Sequence, residues 1–184
     1  MIDIETLGNS SGSVICSVAA VEFDLNSGET GRWFYERVQI QSCIDLGLKI
    51  DASTIAWWLE QNDVARKEML GGTKSIKLVL YSLINFISGL NPDRLQVWGN
   101  GSRFDLGLLE DAFKACCLTT PWKYYNERDV RTLASFKPEL KKGVVNSWEG
   151  LKHSALDDCY MQITYCSLIW NALKEPVLQW SATN

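Results

Sequence analysis

Residues 1–8 of the chain, Met-Ile-Asp-Ile-Glu-Thr-Leu-Gly, place two acids in a short extended segment. On a strand, residues two apart point to the same side, so Asp3 and Glu5 are predicted to present both carboxylates on one face. Two such acids in a folded interior repel each other, and a divalent cation with a preference for oxygen ligands, Mg²⁺ or Mn²⁺, removes that repulsion. Two solvated surface acids give the same pattern, so this stretch alone leaves both interpretations open.

Two strands and two helical regions are predicted to follow in the first half of the chain. A run rich in Val, Ile, Cys and Ala and a second apolar run flank a Gly/Ser/Asn-rich turn, which is the pattern of a β-hairpin. The spacing of apolar residues then becomes that of a helix, with Asp51 and Ser53 as N-cap candidates. The predicted strands are 13–23 and 32–40, and the predicted helical regions run from 51 to Gly71 and from 75 to 90.

One strand and three helices are predicted in the second half. The last helix has apolar residues spaced alternately three and four apart, which indicates one buried face. The stretch 138–146 contains Lys, Gly and Asn and is predicted to be a loop. The predicted strand is 95–98, and the predicted helices are 104–117, 130–136 and 155–173. No repeat or linker divides the sequence, so we expect residues 1–184 to form a single α/β domain.

Composition excludes several classes of protein. Of the 184 residues, 46% are apolar, and eight Trp, six Tyr and six Phe supply more core material than a disordered chain carries. No apolar run reaches the ~18–20 residues of a membrane span, and no basic-then-apolar leader opens the sequence. None of the six cysteines forms a Cys-x-x-Cys pair and there is one histidine, which argues against a zinc cluster. We expect a soluble, cytoplasmic protein with reduced thiols and no membrane partner.

The charge is unevenly distributed along the chain. The formal net charge is −4, which by itself argues against a nucleic-acid partner. Between Pro121 and Lys152, however, seven basic residues stand against four acidic ones. Such a stretch beside a cation-filled site could hold phosphate groups, although by itself it is more often an ordinary solvated surface.

Asp105 is a second candidate for chemistry. It follows the predicted strand 95–98 and the turn Gly99-Asn100-Gly101, at the start of a predicted helix. A carboxylate in the first helical turn commonly serves as a cap or complements the helix dipole. The same position, just past the carboxyl end of a strand, is where open α/β sheets place their ligands.

His153, the sole histidine, and the pair Asp157 and Asp158 open the last predicted helix. A single histidine is often a surface residue or a satisfied core residue, and that interpretation stands beside a catalytic one. At 100° per residue, Asp157 lies roughly 150° from the centre of the apolar stripe and Asp158 roughly 110°. Asp158 is therefore predicted at the edge of the buried face, where it can reach a sheet, and Asp157 is predicted to face water.

Taken together, three stretches resemble the motifs of the DEDDh 3′–5′ exonucleases: Asp3-Ile-Glu-Thr-Leu-Gly8, Phe104-Asp105 and His153-Ser-Ala-Leu-Asp-Asp158. The spacing from histidine to aspartate in that motif selects Asp158. Four more are similar to the bacteriophage and prophage exonuclease VIII-type branch: Thr54-Ile-Ala-Trp-Trp58, Val97-Trp-Gly-Asn-Gly101, Pro121-Trp-Lys123 and Arg128-Asp-Val-Arg-Thr132. The resemblance covers nearly the whole chain. It implies a ribonuclease H-like α/β fold with a mixed five-stranded sheet flanked by helices on both faces.

The resemblance also implies a mechanism. Two divalent ions, Mg²⁺ or Mn²⁺, would be held by four carboxylates, and His153 would act as general base for an attacking water. The implied metal ligands are Asp3, Glu5, Asp105 and Asp158. The expected reaction removes nucleoside 5′-monophosphates from the 3′ end of single-stranded DNA or RNA.

Substrate contacts follow from the same resemblance. Thr6 and Leu7 are expected to line the pocket of the terminal nucleotide, with their backbone groups meeting the 3′-hydroxyl. Trp98 and Phe104 are each open to two interpretations, stacking on the bases of the substrate or an ordinary core role. Arg128 and Arg131 are candidates for contacting the upstream phosphates. Asn100, from the Gly-Asn-Gly turn, is a further candidate for substrate binding.

Two other functions are compatible with the sequence. One is an RNA-specific trimming or oligoribonuclease-like enzyme, which would distinguish RNA through its 2′-hydroxyl. The other is a nucleic-acid-binding module that keeps the fold without catalysis. We also expect a homodimer, as in many relatives of the wider superfamily, with Trp180 and the Trp57-Trp58 pair as the candidate patch and core burial as the alternative for these residues.

Overall fold

The computed structural model describes residues 1–91 and 95–174. Within these ranges, three strands and four helices come first, and two short strands with four more helices follow, in a mixed α/β protein. The strands are β1 (Ile2–Thr6), β2 (Ile15–Phe23), β3 (Thr30–Arg37), β4 (Val97–Gly99) and β5 (Glu127–Asp129). The helices are α1 (Ile40–Ile44), α2 (Ala52–Leu59), α3 (Asp63–Leu70), α4 (Ile76–Ser88), α5 (Ser102–Ala115), α6 (Val130–Ala134), α7 (Pro138–Ser147) and α8 (Ala155–Lys174).

The strands form two hydrogen-bonded groups. In the first, β1, β2 and β3 are antiparallel neighbours in that order, and β1 pairs along its whole length from Ile2 opposite Ala20 to Thr6 opposite Ile15. In the second, β4 and β5 are parallel. Strand β4 contacts β1, but among the described residues no ladder joins the two groups. A mixed arrangement of strands is thus present, whereas a single five-stranded sheet is not confirmed.

Helices cover both faces of the antiparallel sheet, as expected. Alternate residues of β2 point to opposite sides: Val18 and Ala20 pack with α4 and α5, whereas Ala19 and Val21 pack with α6 and α8. Because β1 follows the same alternation, Ile4 points to the α4 and α5 side and Asp3 points toward α8. The acids of β1 therefore lie on the face that carries the last helix.

Local capping explains where several helices begin. Asp51 caps α2 by accepting hydrogen bonds from the backbone N–H groups of Ser53 and Thr54, and Ser75 caps α4. The prediction of helices at 75–90, 104–117, 130–136 and 155–173 is confirmed within two residues at each end. The hairpin between β2 and β3 and the short strand β4 are also confirmed.

Three sequence predictions of local structure were wrong. Residues 138–146 form α7 instead of a loop, because Pro138 suits the first turn and Leu140 and Val144, four residues apart, pack against the α8 side of the core. The predicted strand 32–40 ends at Arg37, and Ile40 begins α1. The region from 51 to 70 is two helices, because Asn62 caps a new one, α3.

Within residues 1–91 and 95–174, none of the helices combines the length and the apolar character that a membrane crossing requires.

Candidate active site

Three elements bring the four predicted carboxylates into one cluster. Strand β1 supplies Asp3 and Glu5, helix α5 supplies Asp105 from its first turn, and helix α8 supplies Asp158 from its first turn. Asp3 and Asp105 are buried, with 7% and 2% of their surface exposed. The carboxylate of Asp3 is close enough to those of the other three acids for each of them to repel it.

Close packing behind Asp105 depends on a glycine. A Cβ at Gly99, the last residue of β4, would lie 3.1 Å from the Cβ of Asp105 and 3.2 Å from its Oδ2. Glycine therefore allows α5 to start close to β4 and to direct Asp105 toward β1. Within residues 1–91 and 95–174, the buried Oδ2 of Asp105 has no hydrogen-bond partner, so this oxygen is available to a ligand.

The open side of the cluster contains the histidine. One ligand atom each of Glu5, His153 and Asp158 lie within 4.8 Å of one another. It is thus Asp158, and not the adjacent Asp157, whose carboxylate meets the imidazole and β1. These oxygen and nitrogen atoms are arranged closely enough to share a bound ion or a water molecule.

Burial and mutual repulsion raise the pKa values of the acids. Burial raises the pKa of Glu5 from 4.5 to about 8, and repulsion from Asp158 and Asp105 adds to this. Burial raises the pKa of Asp105 to about 7 against the opposing effects of nearby backbone groups and of Arg131. Burial also raises the pKa of Asp158 to about 6, with repulsion from Asp157. A cluster that is this costly to ionise is suited to a cation, which would favour the charged form of each acid.

Asp3 has an additional partner that the sequence analysis missed. The Nε2 of Gln162, on α8, donates a 2.7 Å hydrogen bond to Oδ1 of Asp3. Burial raises the pKa of Asp3 well above its usual range, repulsion from Asp105, Glu5 and Asp158 adds to this, and the Gln162 hydrogen bond opposes it. The available signal was that Gln162 lies four residues after Asp158 and therefore shares its side of the helix.

Two tryptophans of α2 contact the histidine and were not predicted to do so. The rings of Trp57 and His153 meet edge to face, with centroids 4.8 Å apart, and Trp58 lies 6.3 Å from the same imidazole. Trp58 is buried and donates a 2.9 Å hydrogen bond from Nε1 to the backbone carbonyl of Thr6, which ties α2 to the end of β1. His153 itself has a left-handed backbone conformation, with φ of 61°.

The pKa of His153 is lower than its ordinary value of 6.5. Partial burial is the main cause, and the positive charge of Lys152 is the second. Both effects disfavour the imidazolium form and favour the neutral imidazole, which is the form that can accept a proton.

Comparison with known proteins identifies the family. The 3′–5′ exoribonuclease Rv2179c-like domain family matches residues 1–170. The chain belongs to this family. The exonuclease is also similar to an exodeoxyribonuclease of Enterobacteria phage T4, with 26% identity over 195 residues that cover 89% of this chain and 85% of the phage protein. It is therefore a hydrolase, a 3′–5′ exonuclease that acts on nucleic acid.

Solved structures confirm the fold of the exonuclease. The nuclease domain of 3′hExo, a DEDDh family member bound to rAMP, has a TM-score of 0.65 at 12% identity, covering 93% of this chain and 90% of that one. A 3′-exonuclease whose structure concerns 3′-end specific recognition of a histone mRNA stem-loop has a TM-score of 0.60 at 13% identity, covering 94% and 79%. The ribonuclease H-like α/β fold expected from the motifs is confirmed.

Thr6 is the last residue of β1 and Leu7 follows it, but several of their polar groups already make hydrogen bonds within the protein. The side chain of Leu7 is buried in the core. Its backbone N–H donates to the carbonyl of Val14 at 2.9 Å, and its own carbonyl accepts from Asp51 at 2.7 Å. The hydroxyl of Thr6 donates to the carbonyl of Gly8 at 2.6 Å. A contact of these backbone groups with a 3′-hydroxyl stays a prediction.

The aromatic candidates and Asn100 differ in their surroundings. Trp98 is buried, with its ring centroid 6.4 Å from that of Phe23, which is a core position. Phe104 is half-buried against the core next to Asp105. The Oδ1 of Asn100 is buried without a hydrogen-bond partner in the protein, which makes Asn100 the candidate with the clearest unused polar group.

The two arginine candidates occupy different positions. Arg131 is exposed, and its guanidinium lies against Gly101, where it acts electrostatically on Asp105. Arg128 donates from Nη1 to the backbone carbonyls of Tyr125 and Glu127, at 3.0 and 2.8 Å. Of the two candidates, Arg131 is consequently the one that lies at the carboxylate cluster, whereas Arg128 is held by its own loop.

Of the Trp57-Trp58 pair in the expected dimer patch, only Trp57 is exposed. Trp58 is buried, and Trp57 is 41% exposed beside His153. Trp180 lies outside the described residues. The homodimer stays a prediction.

Proposed function

We propose that the exonuclease hydrolyses the terminal phosphodiester of single-stranded DNA or RNA 3′ ends and releases nucleoside 5′-monophosphates one at a time. The observation that carries the proposal is the convergence of four carboxylates from β1, α5 and α8 beside the sole histidine. Asp3, Glu5, Asp105 and Asp158 are the proposed metal ligands, and His153 is the proposed general base. Residues 1–184 act as one exonuclease domain in this proposal.

The donor set supports a pair of hard divalent ions. All four proposed ligands are carboxylates, which suit Mg²⁺ or Mn²⁺, and the unpartnered Oδ2 of Asp105 is a buried oxygen without another role. When bound, two such ions supply Lewis-acid activation of the attacking water and stabilise the leaving 3′ oxygen of an in-line displacement. The formal charge of four carboxylates is then cancelled, so the site can accept an anionic phosphodiester.

His153 handles the proton in this proposal. Its neutral imidazole lies within 4.8 Å of Glu5 and Asp158, at the open side of the cluster, and takes the proton of the attacking water. Trp57 packs against the imidazole and limits the orientations that it can adopt. Arg131, exposed next to Asp105, is the proposed contact for the phosphate upstream of the scissile bond.

The relatives support both kinds of nucleic acid as substrate. The matching family is described as exoribonucleases, and the phage relative is named an exodeoxyribonuclease. We therefore propose that the enzyme accepts both. An RNA-specific trimming enzyme is the second candidate, which the family description favours.

The test compares matched oligonucleotides labelled at the 3′ or the 5′ end. With Mg²⁺ or Mn²⁺, a 3′ label should appear at once as mononucleotide, whereas a 5′ label should pass through a ladder of shortened products. Single-stranded DNA, single-stranded RNA and duplexes with a 3′ overhang are compared side by side, with a chelator as control. Degradation of RNA alone would favour the trimming enzyme, and release of 5′ label as the first product would contradict the proposed polarity.

A further inference from the structure

Gln162 is a polar side chain of α8 that hydrogen-bonds an acid of β1, and it thereby links the helix and the strand that supply acids to the carboxylate cluster. It lies in α8, one helical turn after Asp158, and only 1% of its surface is exposed. Its Nε2 donates a 2.7 Å hydrogen bond to Oδ1 of Asp3 on β1. Its Oε1 is buried without a hydrogen-bond partner among the described residues. Within that part of the chain, the one hydrogen bond of the amide is thus with an acid of the proposed metal site.

A hydrogen bond of this kind restricts how the carboxylate of Asp3 can rotate. A carboxylate has two oxygens, and both accept but neither donates when the group is ionised. With Oδ1 held by a buried N–H, Oδ2 has a defined direction for a cation. Because α8 carries Gln162 and Asp158 on the same side, the bond also fixes the strand acid relative to the helix acid.

Space filling alone does not require an amide at this position. The surrounding side chains of α8 that face the core, such as Cys159 and Ile163, are apolar. A buried amide with an unpartnered oxygen is less favourable than an apolar side chain of similar volume, unless its N–H has a use. In this structure the N–H donates to the carboxylate of Asp3.

We propose that Gln162 is a positioning residue that orients Asp3 for divalent-cation binding, through the buried hydrogen bond between α8 and β1. This inference rests on the proposed function of the carboxylate cluster as a metal site. Gln162 does not contact the substrate in this scheme, and it acts through Asp3.

The experiment measures Mn²⁺ binding to the full chain by isothermal titration calorimetry, without nucleic acid, for Gln162→Met and Gln162→Leu. Both substitutions keep a similar volume and remove the N–H donor. Loss of a hydrogen bond to a metal ligand typically weakens metal affinity 10–100-fold, and we expect a loss of about this size. The concentration of Mn²⁺ needed for half-maximal activity should rise in parallel, while KM for the oligonucleotide at saturating Mn²⁺ should stay near the wild-type value.

The matched control is Ser167→Ala, a buried polar residue on the same helix. It should bind Mn²⁺ as the wild type does, because Ser167 is not a partner of the proposed metal ligands. Circular dichroism establishes that each variant folds, and either folded apolar variant is sufficient for the test.

The results separate this inference from the proposed function. Wild-type protein that degrades oligonucleotides and binds Mn²⁺, together with a Gln162→Met variant of equal affinity, would overturn the positioning role and leave the proposed function intact. Wild-type protein that neither binds Mn²⁺ nor requires it would overturn the metal site itself. Unfolding of both apolar variants would assign the hydrogen bond to the fold, and it would equally overturn the positioning role.

Discussion

The indole of Trp57 meets the imidazole of His153 edge to face, with ring centroids 4.8 Å apart and planes at 85°. The two residues come from different elements, Trp57 from α2 and His153 from the segment before α8. The ring of Trp57 thus acts as a wall on one side of the proposed general base, and the carboxylates of Glu5 and Asp158 lie on another. This arrangement limits the imidazole to a small set of orientations through ring packing, since Trp57 contacts it edge to face.

The contact predicts that the size of residue 57 controls turnover. Trp57→Ala should lower kcat by about 10²-fold, because a misplaced catalytic group costs a reaction roughly that much. Trp57→Phe keeps an aromatic wall and should retain most of the activity. Leu59→Ala, an exposed position at the end of the same helix, serves as control in single-turnover assays. Equal rates for Trp57→Ala and wild type would show that Trp57 has no role in orienting His153.

The adjacent aspartates of α8 provide a matched pair of variants. Asp158→Asn should lower turnover by orders of magnitude while oligonucleotide binding persists, because it removes one proposed metal ligand and keeps the shape of the side chain. Asp157→Asn removes the same charge one residue away and should keep near-wild-type turnover, since Asp158 is the acid within 4.8 Å of Glu5 and His153. Rates are measured on a 3′-labelled oligonucleotide and binding by fluorescence anisotropy. Equal losses in both variants would mean that charge alone, and not position, matters.

His153→Ala should lower turnover by about 10²–10⁴-fold, the usual contribution of a positioned general base. The pKa of His153 lies below 6.5 because of burial and of Lys152, so wild-type kcat should rise with pH through a point below 6.5 and then level off. With Mn²⁺ saturating at every pH, the variant should lose this dependence while retaining oligonucleotide binding. A variant with wild-type rates at pH 7 would remove the general-base assignment.

The parts of the fold that sequence could predict are those set by local rules. Helix α4 has a capping serine, Ser75, and a regular apolar face, and both are readable from neighbouring residues. Helix α7 was missed because Lys141, Lys142 and Gly143 resemble a loop, whereas its stability comes from Leu140 and Val144 packing against the α8 side of the core. Such a contact depends on the position of another helix, which local composition does not reveal.

The same distinction applies to the site. The proposed metal ligands could be chosen from the sequence because their spacing follows a motif, and the helical phase of Asp158 agreed with that choice. The hydrogen bond of Gln162 to Asp3 and the contact of Trp57 with His153 join residues that are distant in sequence. Periodicity places Gln162 on the same side of α8 as Asp158 but does not identify either partner, since each contact depends on how α8 and α2 are placed against β1.

The raised pKa values of the acids predict that the metal-free protein loses stability as pH rises. The pKa of Glu5 is about 8 in the folded protein against 4.5 ordinarily, and those of Asp105 and Asp158 are about 7 and 6 against 3.8. Between about pH 4 and pH 8 the unfolded chain therefore binds fewer protons than the folded one, so the free energy of unfolding falls with increasing pH. Each kcal/mol lost lowers Tm by about 2–4 °C for a chain of this size.

The measurement is a series of thermal melts from pH 4.5 to pH 8, with chelator and with Mn²⁺. With chelator, Tm should decline across this range. Groups outside the cluster also contribute to the change in Tm, and the double variant Glu5→Gln and Asp158→Asn separates the two contributions. It should show a shallower decline than the wild type. With Mn²⁺, the gain in Tm should be larger at pH 8 than at pH 5, because ligand binding stabilises the folded state and the acids must be ionised to bind the ion. A double variant with the wild-type slope in chelator would mean that these acids do not have raised pKa values. A gain in Tm with Mn²⁺ that is the same at both pH values would mean that these carboxylates do not bind the cation.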